Sequence, residues 1–76
     1  MSTLLELSVG QTASIKDYSG SMHEAYRMRL NQLGFREGRK VQCVQRPNLG
    51  APSLYRVGTA VYSLDADTAQ QITIQY

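Results

Sequence analysis

Only one stretch of this chain carries a helical period, which leaves the rest to short extended segments. Met22, Tyr26, Leu30 and Leu33 fall at i, i+4, i+8 and i+11, a single apolar stripe. Ser21-Met-His-Glu24 at its start fits a capping box, with Ser21 accepting from the Glu24 backbone and Glu24 reaching back. Gly34 stops the helix, because a glycine readily takes the left-handed conformation that closes a final turn. Phe35 beyond it is then placed to pack onto Leu30. The spacing predicts one amphipathic helix of about three turns, docked by Leu30, Leu33 and Phe35.

Elsewhere the pattern is that of strands. Leu4, Leu5 and Leu7 form a small apolar cluster that ends at Val9-Gly10. Residues 12–16 alternate, with Ala13 and Ile15 on one face, until Asp17-Tyr-Ser-Gly20 breaks them. Arg36-Glu-Gly38 reads as a turn, and residues 39–46 as a strand carrying Val41, Cys43 and Val44. A loop from Pro47 to Pro52 follows, bounded by two residues that cannot donate to a ladder. Residues 53–57 and 59–64 flank Gly58 as a tight hairpin. Asp65 suits a helical N-cap for a short turn through Ala69, and Ile72 and Ile74 mark a last strand. Five short strands in 76 residues cannot make two well-covered layers. Curling one sheet into a small barrel buries the alternating residues and removes exposed edges. The expected fold is therefore mostly β: an SH3-like five-stranded barrel with one helix inserted after the first strand and plugging one end. It occupies residues 1–76 as a single domain.

Composition narrows the function. The lone Cys43 has no intramolecular disulfide partner, which suits a reducing compartment. The start of the chain lacks the basic and apolar regions of a signal peptide, and no apolar run approaches the ~20 residues of a membrane span. A cytoplasmic location with no direct membrane insertion is expected. A net charge of +2 is too mild to point to nucleic acid or lipid.

Certain residues carry a family likeness. They are Leu7-x-x-Gly10, Ala13 and Ile15, and the block Ala25-Tyr26-Arg27-x-x-Leu30-x-x-Leu33-Gly34-Phe35-x-x-Gly38. Beyond these come Leu49-Gly50-Ala51-Pro52, Gly58, Leu64 and Ala69-x-x-Ile72-x-Ile74. In these the chain resembles the FeoA family of bacterial ferrous-iron uptake. The paired Leu-Gly-Phe-x-x-Gly turn and Leu-Gly-x-Pro loop are the most specific part. Gln32, where the family often has an acidic residue, and Ala51, where it often has Asp, depart from the pattern. The resemblance implies an SH3-like barrel without enzymatic activity. It also implies an accessory role to FeoB, a membrane transporter with a cytoplasmic GTP-binding domain. A related SH3-like domain in metal-dependent repressors makes a transcriptional regulator the alternative, beside a small nucleic-acid-binding barrel.

The residues themselves offer little chemistry. Cys43 and His23 are the only obvious catalytic pair, and Cys43 sits mid-strand as a small core residue, so no catalytic residues are expected. No G-x-x-x-x-G-K-[ST] loop is present, so GTP chemistry belongs to a partner. His23, Cys43, three methionines and six scattered carboxylates show no paired-ligand spacing, so neither a metal site nor a cofactor is expected. Arg36, Arg39 and Lys40 cluster, but without the interleaved exposed aromatics that nucleic-acid stacking needs. Docking on a protein is the favoured function. Its candidate residues are Arg27 and Met28, off the apolar stripe of the helix, and Leu49, Gly50, Ala51 and Pro52 in the loop. Leu49 is read either as an apolar knob held between rigid prolines or as a cover over the barrel mouth. Oligomeric state is left open, and a monomer satisfies the sequence.

Overall fold

Alternating apolar residues become strands when one face can be buried, and five segments among the described residues do so, joined by a two-residue sixth strand. The computed structural model describes residues 2–47 and 51–76. Its strands are β1 (Ser2–Thr3), β2 (Thr12–Tyr18), β3 (Lys40–Gln45), β4 (Ser53–Val57), β5 (Ala60–Leu64) and β6 (Ile72–Gln75), with helices α1 (Glu24–Leu33) and α2 (Ala66–Gln70). They form one antiparallel sheet in the order β1-β6-β2-β3-β4-β5.

The sheet packs against itself. Ala13, Ile15, Val41, Cys43, Tyr55, Val57, Leu64, Ile72 and Ile74 all point into one core, which also holds Leu4, Leu7, Met22, Leu30, Phe35 and Ala69. Segments well separated in the hydrogen-bonded order meet there. The Tyr55 hydroxyl on β4 donates to the Leu4 carbonyl just after β1, at 3.2 Å. Arg46, following β3, donates to the carbonyls of Leu4 and Leu7 at 3.3 and 2.5 Å. Register shifts in β2 between Ile15 and Asp17, and in β3 between Cys43 and Gln45, supply local bends of the kind a curled sheet requires.

Several expectations need correction. The described residues form six strands rather than five. The Leu4–Leu7 cluster includes a 3-10 turn, Leu4–Glu6, preceded by the two-residue β1 paired with β6. Two residues are too few to show an alternation, so β1 left no period to read. The strand expected to break at Asp17 continues to Tyr18, because the bulge lets Asp17 and Tyr18 pair with Thr73 and Ile72. No capping box forms at Ser21. The helix begins at Glu24 with His23 as its N-cap, while the Ser21 and Ser19 hydroxyls bond each other at 2.8 Å.

The other end of α1 follows the sequence closely. Gly34 adopts φ 110°, the Phe35 N–H donates to the Leu30 carbonyl at 3.0 Å, and the Gly34 N–H donates to Asn31 at 3.1 Å. These paired bonds satisfy carbonyls that the helix would otherwise orphan, and they drive Phe35 into the core at 0% exposure. Its ring meets Tyr62 on β5 at a centroid distance of 5.7 Å. Gly34 cannot be exchanged freely, since a Cβ there would lie 3.2 Å from Val57 Cγ1 in a left-handed backbone.

Asp65 caps α2 as expected, accepting from the Thr68 N–H at 2.8 Å. Thr68, through its hydroxyl and then its backbone N–H, holds the Asp65 carboxyl below its ordinary 3.8. Thr68 also ties the helices together, its hydroxyl 2.9 Å from that of Tyr26 on α1.

Two outcomes follow for stability. A chain of this size is stable by about 4–11 kcal/mol, and Phe35→Ala should remove about 3–5 of it in urea denaturation. Asp65→Ala should cost about 1 kcal/mol at neutral pH. Because the folded carboxyl titrates below its unfolded value, that contribution is complete above pH 3.8 and fades as the pH falls through the folded pKa. The gap between wild type and Asp65→Ala should therefore narrow in denaturation curves taken at about pH 2–3.

Candidate protein-docking surface

An amphipathic helix buries one stripe and leaves the other for solvent or a partner. In α1 only Leu30 is fully buried, with Leu33 half-buried against the core. Glu24, Ala25, Tyr26, Met28, Arg29 and Gln32 remain exposed. Tyr26, expected in the buried stripe, lies at its edge, its ring 42% exposed and its hydroxyl bonded to Thr68. Ala25, Met28, Arg29 and Gln32 repeat at helical spacing, and with Leu33 they line an open groove of about 510 Å³. Met28 is its most adaptable apolar member, 55% exposed on an unbranched side chain.

Arg27 faces another way. It is half-buried, and its Nε is enclosed without a hydrogen-bond partner, as is the Tyr18 hydroxyl. Burial raises the Tyr18 pKa above its usual 10.0, and the nearby positive charge of Arg27 opposes the rise. At the C-terminal end of α1, Arg36 Nε donates to the Asn31 carbonyl at 2.9 Å. Arg39 passes close to both Gly34 and Gly58. The Arg36 guanidinium complements the negative end of the helix dipole, while Arg29 brings a guanidinium into the groove lining itself.

The loop residues lie at a different place. Leu49 and Gly50 fall outside the described residues. Ala51 and Pro52 are exposed, and Ala51 borders a cavity of about 190 Å³ with Arg46, Pro47, Tyr55 and Leu64. The two linings share no residue, so the structure does not gather Arg27, Met28, Ala51 and Pro52 into one site. Ala25 and Gln32 stood out in the sequence only through the family likeness, Arg29 did not, and none of the three was a docking candidate. Their signal was a second i, i+3, i+4, i+7 spacing beside the apolar stripe, masked by mixed polarity. Arg46 was missed too. Its partners are backbone carbonyls, which leave no mark in side-chain pattern. Burial likewise lifts the Tyr55 hydroxyl above its ordinary pKa, against the lowering effect of the Arg46 charge.

Among the described residues, no group of three or more His, Cys, Asp or Glu could hold a metal ion, and no helix is long and apolar enough to cross a membrane. Cys43, free and fully buried, sits in the core as its strand position implied.

Solved structures share this architecture. A FeoA protein from Chlorobium tepidum matches with a TM-score of 0.88 and 26% identity, over 97% of this chain and 69% of that one. FeoA of Stenotrophomonas maltophilia, solved with zinc, matches at 0.85 and 28%, over 99% and 91% of the two chains. That protein is described as a prokaryotic SH3 domain protein and a candidate activating factor of ferrous iron transport, and its likeness makes this curled sheet SH3-like. A manganese-dependent transcriptional repressor matches at 0.84 over 97% of this chain and 40% of its own, but at 16% identity it shows only a shared fold. No curated protein matches the sequence. The FeoA domain family model matches residues 2–76, and with that span covered the chain belongs to the FeoA family.

Proposed function

We propose that this protein serves bacterial ferrous-iron uptake as a non-enzymatic accessory factor that docks on the cytoplasmic part of a FeoB-type GTP-binding transporter. Family membership supplies the iron-transport setting. The observation that carries docking is the outer face of α1, where Met28 stands 55% exposed over an open groove that it lines together with Arg29. A methionine beside an arginine is a pairing enriched at protein interfaces. Single exposed methionines occur on many surfaces, so the groove around Met28 and the neighbouring Arg29 give the side chain its meaning here. In this reading the protein acts by contact. Nucleotide hydrolysis remains with the transporter.

Pull-down and iron-uptake measurements with the cognate transporter test this. Met28→Glu should weaken binding at least about tenfold, equivalent to about 1.4 kcal/mol, and lower uptake in cells. Val9→Glu, at a position 59% exposed elsewhere on the surface, should leave both unchanged. Full binding by Met28→Glu would remove the α1 groove from the interface. Failure of the wild-type protein to bind the intact transporter would end the docking reading altogether.

A further inference from the structure

We infer that the outer edge of β5 is a pairing site for a second copy of this chain, a surface that goes beyond the docking groove and shares no residue with it. Every open sheet has two edges, and each presents unpaired N–H and C=O groups that can template another strand. Here the edges are β1 and β5. Strand β1 is protected by its length of two residues. Strand β5 spans five residues, Ala60-Val-Tyr-Ser-Leu64, with no charge and no proline. Its register with β4 runs unbroken from Ala60 to Leu64, whereas the internal strands β2 and β3 are bulged. Within β5 itself there is no charge, proline or bulge to guard the edge.

The hairpin fixes which groups are free. Val57 and Ala60 flank the two-residue turn Gly58-Thr59 and are opposed in the ladder, as are Tyr55 and Tyr62, and Ser53 and Leu64. A two-residue turn makes its flanking pair hydrogen-bonded, and bonded pairs then alternate along the ladder. Val61 and Ser63 therefore turn their N–H and C=O groups away from β4. No hydrogen bond to either is found among the described residues outside the ladder.

That set of free groups is self-complementary. A twofold axis at Tyr62 sets Val61 opposite Ser63 of the second copy, antiparallel, so that each pair exchanges both of its hydrogen bonds. Val61, 44% exposed on the outer face, gains cover. On the inner face the half-buried Tyr62, already against Phe35, meets its symmetry mate. The pairing strands bring no like charges together. The nearest cation across from them, Arg56 on β4, stands at least about 14 Å from its counterpart at the usual strand spacing of about 4.8 Å, beyond a Debye length of about 8 Å. Because β1 is too short to offer a second template, the association closes as a dimer instead of growing into a fibre. The surface is small, so the dimer forms only at high concentration.

Sedimentation equilibrium from about 10 µM to about 1 mM, with amide hydrogen exchange at each end, tests it. The expected result is a rise in mass that stops at twice the chain, with exchange at the Val61 and Ser63 amides slowed at least about tenfold at the high end. Val61→Lys, at an exposed position where the fold tolerates a charge, should abolish both while leaving the circular dichroism unchanged. Monomers throughout would overturn the inference. So would masses beyond the dimer, or a dimer that survives Val61→Lys with Val61 and Ser63 exchanging freely.

Discussion

The carbonyls of Leu4 and Leu7 meet the hydroxyl of Tyr55 and the guanidinium of Arg46, and the curl of the sheet depends on that meeting. A six-stranded sheet with no second layer has nowhere to bury its inner face except against itself. Closing it brings the irregular segment after β1 over β4, and irregular backbone under cover is costly unless its polar groups are paired. Arg46 and Tyr55 provide the pairing from strands that already face inward. With those carbonyls satisfied, Leu4 and Leu7 can lie fully buried, and Ala69 on α2 joins them in the core. Without that pairing, the same leucines would draw bare carbonyls out of water, and the apolar gain would be offset by desolvation.

The helix is held differently. Strands β2 to β6 each have ladder bonds and inward side chains, whereas α1 gives the core one fully buried residue, Leu30, and part of Leu33. Its C-terminal end is firmly set by the Gly34–Phe35 closure. Its N-terminal end rests on an N-cap with no side-chain bond, on Met22 just before the helix, and on the single Tyr26–Thr68 contact. A rigid sheet thus presents a lightly anchored helix whose solvent face is free to adapt. Such an arrangement suits a surface that recognises a partner, since ordering costs fall on few side chains.

Much of this architecture is legible in the order of the residues. The Leu30-x-x-Leu33-Gly34-Phe35 segment encodes helix, stop and core insertion in adjacent residues, so local rules suffice. Strands β3 to β6 are legible because alternation and turn residues agree along them. The N-terminal cap of α1 is not. Ser21 could serve either a capping box or a bond to Ser19, and only the path of the chain from Gly20 to His23 chooses between them. Strand β1 and the Arg46 clamp are invisible for a related reason, since both are defined by backbone groups distant in sequence. Of the candidate site, Met28 can be placed on the outward face from period alone. Whether Arg27 stands free depends on Tyr18, on strand β2, and period carries no information about that neighbour.

Cys43 has one further consequence. Its side chain lies at 0% exposure in the middle of β3, and its backbone is fully bonded, the carbonyl accepting from the Gly10 N–H at 2.7 Å and the N–H donating to the Gln11 carbonyl at 3.1 Å. An alkylating reagent can reach that thiol only when the centre of the sheet parts. The molecule therefore carries its own clock for core opening, silent while folded and read out without an added label. Any cysteine placed on the outside can be derivatised selectively beside it, so probes for partner contact require no removal of the native thiol.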